Sequence, residues 1–122
     1  MGIRKQELHK ETIPGMYEGW FTQQGEMTLY FESIKAGDPA PLYRGLPDDR
    51  CQAHHYGFLF KGKLVIRYEG HEEEVNAGEA YYMAPGHLPL IIEDAETLEI
   101  SPTGEFEVTM AQLQKNLEAA GT

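Results

Sequence analysis

The chain holds a single cysteine among its 122 residues, so no disulfide can form within it. A domain of this size can bury a core large enough to need no covalent staple. The missing disulfides make a reducing compartment the expectation. Long apolar runs are missing too: nothing approaches the roughly 18 residues of a membrane span. The opening MGIRKQELHKETIPG is broken by charge and lacks the apolar core of a secretory leader. The cytoplasm is therefore the expected location, with no membrane partner. Basic residues are scarce, ten Lys and Arg against twenty Asp and Glu, for a net charge of -10. That balance argues against nucleic-acid partners. Runs such as HEEE (71–74) and EDAE (93–96) read as solvated surface. Also absent are G-x-S-x-G, a Walker loop, a dinucleotide fingerprint and C-x-x-C, which argues against the commoner hydrolase, nucleotide and dithiol chemistries.

What is present is strand-like. Residues 1–15 read as an N-terminal arm with one short helical turn at most, and 16–122 as one domain. In MTLYFESI, Met27, Leu29 and Phe31 alternate with Thr28, Tyr30 and Glu32, the period-two signal of a half-buried strand. QQGE, Lys61-Gly62, EGHE (69–72), Ala77-Gly78 and the DAE of 94–96 are the expected turns, and several short strands at such intervals argue for an all-β sandwich or barrel. The segment 36–49, with three prolines and two glycines, reads as a long loop of the kind that borders a site, with Tyr43 and Arg44 as its bulky members. One helix is expected at the end, over 109–120. Met110, Leu113 and Leu117 have helical spacing there, Thr109 and Gln112 form a capping box, and Gly121 stops the run. It is expected to cover a sheet face or a partner.

The stretch CQAHHYGFLFKG, Cys51 to Gly62, sets two histidines side by side. Neighbours on a strand point to opposite faces, so only one can serve an interior site. Parity with Cys51 and Gly57 turns His55 inward and His54 outward. Tyr56, Phe58 and Phe60 share the His54 face, where they are expected to pack under the helix or against a second copy. In a straight strand Cys51 and His55 would lie roughly 13 Å apart, so they meet only if QAH bends the chain. Of Tyr81 and Tyr82, at most one reaches the interior.

A histidine-bearing strand, then Lys61-Gly62, then GEAYYMAPGHLP with Gly78, Pro85, Gly86 and His87, resembles the cupin superfamily, most specifically over 49–102. The family's first motif is a histidine, one residue, a second histidine, a short gap, a glutamate and six residues to a glycine. Counting back from Gly62 sets His55 at the glutamate, with Cys51 and Asp49 at the two histidines. His87 stands in the second motif, closer to its glycine than is usual. The resemblance implies an antiparallel cupin-type β-barrel, a double-stranded jelly roll with one C-terminal helix. It also implies a homodimer and a site within the barrel mouth. The candidate metal ligands are His55, His87 and Cys51, with Asp49 a fourth. Their chemistry suits a divalent transition metal, Zn, Ni, Fe or Mn. The functional expectation is a small polar molecule bound in the barrel through that metal, with oxygenase- or isomerase-type chemistry if it is an enzyme. The alternative is a metal-free, non-catalytic ligand-binding or dimerising module. A third reading gives Cys51 a redox role.

Overall fold

The structure is a computed structural model that describes residues 1–121. Its seven strands are β1 His9–Ile13, β2 Tyr17–Gln24, β3 Met27–Ile34, β4 His55–Tyr68, β5 His71–Asn76, β6 Ala80–Met83 and β7 Leu88–Pro102, followed by helix α1, Thr103–Gly121. The strands pair antiparallel in the order β1-β2-β3-β7-β4-β5, and β6 adds to β4. This is an all-β, jelly-roll type of barrel with one C-terminal helix.

The long strands β4 and β7 build both layers. Residues 55–58 of β4 pair with β6 and residues 56–59 with 97–100 of β7, whereas residues 63–68 pair with β5 and residues 63–67 with 88–93 of β7. Between these halves the register breaks at Leu59, Lys61 and Lys63, where both strands turn the corner from one layer to the other. Lys61-Gly62 was expected as a hairpin and the DAE of 94–96 as a turn, and here the structure corrects the sequence. They face each other as a bend inside two continuous strands. Gly62 has φ +96°, and a Cβ there would collide with the Asp94 carbonyl oxygen. Glycine is needed for close backbone approach, not for chain reversal. The turns at Gly25, Gly70 and Gly78 do reverse the chain, as expected.

Two further differences concern the ends. The segment 1–15, read as an arm, has a short 3-10 turn at Lys5–Glu7 and then β1, which pairs with β2 from His9↔Phe21 to Ile13↔Tyr17. The helix begins at Thr103, six residues before the expected capping box. Thr109 is therefore not a cap but the buried residue of the helix. Gln112 reaches from α1 to the Arg44 carbonyl at 3.0 Å, and Asn116 to those of Leu42 and Arg44 at 2.6 and 2.8 Å. The helix thus closes over the 36–49 loop and one end of the barrel, rather than lying along a flat sheet face.

Inside, the barrel divides by chemistry. One part is apolar: Leu59, Leu64, Ile66, Val75, Met83, Ile91 and Ala95 pack with Tyr81. The other buries Thr28, Tyr30, His55, Thr97, Glu99 and Ser101. On β3 it is the polar set, Thr28, Tyr30 and Glu32, that turns inward. The apolar set faces out and aligns across strands in two rungs. Trp20↔Phe31↔Leu98↔Phe58 is one, and Leu29↔Ile100↔Tyr56↔Tyr82 the other. Tyr56, Phe60 and Tyr82 are exposed on this outer face, which α1 leaves uncovered.

Candidate metal centre and the barrel interior

The bend that the sequence required is present. Residues 51–54 lie outside β4, with a bend at Ala53, and Cys51 Sγ comes within 3.4 Å of His55 Nε2. His87 arrives from the Pro85-Gly86 turn, where Gly86 takes φ +92°. Cys51 and His87 form an antiparallel bridge, with Cys51 N–H donating to the His87 carbonyl at 3.0 Å and Gly86 N–H to the Cys51 carbonyl at 2.8 Å. Residues directly opposite one another share a face, so the bridge itself brings the thiol beside the imidazole. Arg50 holds this turn from outside, donating to the carbonyls of Arg67 and Gly86 at 3.2 and 3.4 Å. The sulfur of Cys51 and a ring nitrogen of each of His55 and His87 lie within 4.8 Å of one another. Cys51 and His87 are each 1% exposed and His55 8%.

The hydrogen-bond network fixes which nitrogens are free. His87 Nδ1 lies 2.6 Å from the Ala84 carbonyl, which can only accept, so Nδ1 carries the hydrogen and Nε2 keeps its lone pair. Tyr30 gives its one hydroxyl hydrogen to Glu99 at 2.8 Å. The Tyr30 oxygen can therefore only accept from His55 Nδ1, at 2.7 Å, with Ser101 Oγ a further neighbour at 2.6 Å. That leaves His55 Nε2 bare and aimed at Cys51. Such outer partners orient ligating histidines in metal sites. Burial holds both imidazoles neutral, lowering each to about 4, and for His87 the nearby His55 adds to it. Burial also pushes the Cys51 thiol up, with Thr109 at 3.5 Å as its second neighbour. A buried thiol of this kind is a poor free nucleophile, which weighs against the redox reading; bound to a cation it would ionise.

The remaining candidates separate cleanly. His54 stays on the other side, where it and its own backbone N–H donate to Glu105 of α1 at 2.7 and 2.9 Å and its ring stacks on Tyr82. Asp49 is exposed, and its carboxylate accepts from Gly45 N–H at 3.0 Å, so it does not join the centre. Tyr81 is the inward tyrosine and Tyr82 the exposed one.

Sequence reasoning missed the acidic part of the interior. Glu99 accepts from Tyr30 and Tyr81, and Glu32 accepts from Tyr17. Burial raises both carboxyls, Glu32 to about 8, where the charge on Glu99 adds to it. Tyr43 of the 36–49 loop sits near both carboxylates and Cys51, and burial pushes its phenol well up. Glu32 shares parity with Tyr30, and Glu99 with Thr97 and Ser101, but the alternation alone does not say that this polar face is the inner one. A separate depression of about 290 Å³, lined by Lys5, Phe31, Glu32, Phe60, Glu96 and Thr97, includes none of the three donors.

No family model matches the chain, and no curated protein matches it in sequence. Solved structures do match. An RmlC-like cupin from Shewanella frigidimarina superposes with a TM-score of 0.58 at 12% identity, covering 82% of this chain and 88% of that one. The fold is that of the cupins. KdgF from Halomonas sp. matches at TM-score 0.56 and 11% identity, over 81% of this chain and 90% of that one. The Fe(II) form of HppE, solved with an alternative substrate, matches at 0.56 and 10% identity, over 83% of this chain and 59% of that one. The cupin fold is thus shared with proteins of very different sequence, one of them carrying iron.

Proposed function

We propose that this cupin-fold protein binds a small polar molecule inside its barrel through a divalent metal held by Cys51, His55 and His87. One observation carries the reading: a thiol and two imidazoles converge within 4.8 Å with the facing nitrogens unprotonated. A thiolate and two neutral imidazoles fit zinc, nickel or iron(II), and leave a coordination position for a ligand or water. When bound, such an ion polarises a carbonyl or lowers the pKa of its water. The chain's own residues supply the rest. Ser101 and Tyr30 orient His55, Ala84 orients His87, and Tyr30 ties the centre to Glu99. The polar interior, with two carboxylates and several phenols, supports a hydrophilic ligand, and the iron-bearing neighbour of the same fold supports the metal. Oxygenase- or isomerase-type reactions of a small molecule are the activities this arrangement suits.

Metal analysis of untagged protein tests the proposal, together with cobalt(II) substitution. Stoichiometric metal and a sulfur-to-cobalt charge-transfer band are expected, the band disappearing in Cys51→Ser. Protein that neither retains an ion nor is stabilised by added zinc, nickel or iron(II) would instead be the metal-free module. The cluster's internal contacts favour that second reading, because Cys51 already has His55 and Thr109 as neighbours. In either case a second copy of the chain is the proposed cover for the two outer apolar rungs.

A further inference from the structure

Helix α1 turns two stripes toward the barrel. Phe106, Met110, Leu113 and Leu117 form the apolar one, all half-buried. One residue earlier in each turn runs a polar stripe, Glu105, Thr109, Gln112 and Asn116, with the same steps of four, three and four. Every member of this polar stripe meets the segment 42–54. Glu105 accepts from His54, Gln112 donates to the Arg44 carbonyl, and Asn116 donates to those of Leu42 and Arg44. Thr109 lies with its hydroxyl 3.5 Å from Cys51 Sγ. It is the buried residue of the helix, 6% exposed, although threonine is a weak helix former. A buried hydroxyl is kept where it has a partner. Here that partner is the sulfur.

We propose that Thr109 is a positioning residue of the metal centre: its hydroxyl donates to the Cys51 sulfur and limits how much charge that sulfur passes to a bound ion. The proposal rests on the reading that Cys51, His55 and His87 hold a divalent metal, and it adds what tunes that metal. The direction of the bond follows from counting hydrogens. In the free protein the single thiol hydrogen goes to the bare Nε2 of His55 at 3.4 Å, which leaves sulfur lone pairs toward Thr109. A metal-bound sulfur is a thiolate with no hydrogen, so the hydroxyl can only donate to it. The backbone N–H of Ala53 faces the sulfur as a second donor. Donors of this kind draw electron density from the thiolate and leave the ion more electrophilic, the route by which hydrogen bonds at a ligating sulfur tune a metal. Glu105 one turn before and Gln112 one turn after keep the Thr109 oxygen over the sulfur while the helix is docked.

Cobalt(II) protein tests this by the position of its sulfur-to-cobalt charge-transfer band rather than by its presence. Without the donor the sulfur electrons lie higher, so Thr109→Val, which fills the same space, should move the band to lower energy. Thr109→Ser keeps the hydroxyl and should leave the band in place. Thr109→Ala removes hydroxyl and packing together, and should show the same shift as Thr109→Val. Cobalt(II) affinity is expected to fall on the order of tenfold in the Val and Ala variants and to stay within about twofold in Thr109→Ser. Each titration is therefore carried to saturation before the band is read. A residue that only packs the helix would change affinity or melting temperature and leave the band where it is. A band at the wild-type position in Thr109→Val and Thr109→Ala, or an equal shift in Thr109→Ser, would overturn the proposal. So would failure of the Val and Ala variants alike to take up cobalt(II), since Thr109 would then be required for binding. A wild-type protein with no such band would overturn the metal centre itself, whereas a band that forms and does not move overturns the role of Thr109 alone.

Discussion

At the scale of single residues, the adjacent histidines of the chain make the sharpest contrast. His55 lies buried with a bare nitrogen toward Cys51, and His54 is tied to Glu105 on the far side. His55→Ala is expected to abolish retention of cobalt(II), and His54→Ala to leave it within about twofold of wild type, as followed by the charge-transfer band. Ser101→Ala, which removes an orienting partner, should weaken metal affinity on the order of tenfold. The same buried groups give the metal-free protein an asymmetric pH profile. His55 and His87 titrate near 4 when folded, against about 6.5 unfolded. The unfolded chain therefore takes up protons first as the pH falls. Stability is full above about 6.5 and is lost toward 4, by as much as about 3 kcal/mol for each group. Urea titrations across that window should show the loss, and His87→Gln should flatten it. Glu32 has the opposite sign, because its folded value lies near 8, above that of the unfolded chain. Its cost grows as the pH rises through that interval. Glu32→Gln should therefore raise the melting temperature at pH 9 and change it little at pH 4.

Among the elements, the corner between β4 and β7 is the most demanding. Gly62→Ala combines a positive φ with a collision against the Asp94 backbone, and should cost roughly 2–4 kcal/mol in urea unfolding. Gly70→Ala has a positive φ but nothing within 4 Å of the new Cβ, and should cost about 1 kcal/mol. These glycines also mark where the sequence was and was not legible. A Lys-Gly pair between two apolar runs looks the same whether the chain reverses or bends, because both need positive φ. The strand that crosses it in space, here Asp94 and Ala95, decides between them, and periodicity carries no trace of it. The helix start was lost for a different reason: Thr103 and Gly104 are weak helix formers, although Phe106 continues the spacing of Met110 and Leu113 one turn upstream and stacks on Tyr30 at 4.8 Å. The inward assignment of His55 was legible because a period of two holds over so short a stretch. The carboxylates were not, because alternation reports two unlike faces without saying which is inside. On β3 the face that looks like a core is the outer one.

For the whole molecule, that inversion has a cost in water. Trp20, Phe31, Leu98 and Phe58 in one rung, and Leu29, Ile100, Tyr56 and Tyr82 in the next, form a broad apolar face with exposed aromatics. Patches of this kind mark association surfaces. Light scattering is expected to give a dimer at micromolar concentration. Leu98→Asp should shift it to monomer while cobalt(II) binding survives, since Leu98 points away from the centre. A monomeric wild-type protein would leave the face without its proposed cover.

The burial of the three donors beneath α1 bears on time as much as on affinity. Cys51, His55 and His87 lie behind Thr109 and the 36–49 loop, with Gln112 and Asn116 fastening the helix to that loop. An ion bound there could leave only when the helix lifts. Stripping by a chelator should therefore reach a ceiling rate that no further chelator increases. That ceiling would measure how often the C-terminal helix opens, and Asn116→Ala, which cuts two of its fastenings, should raise it.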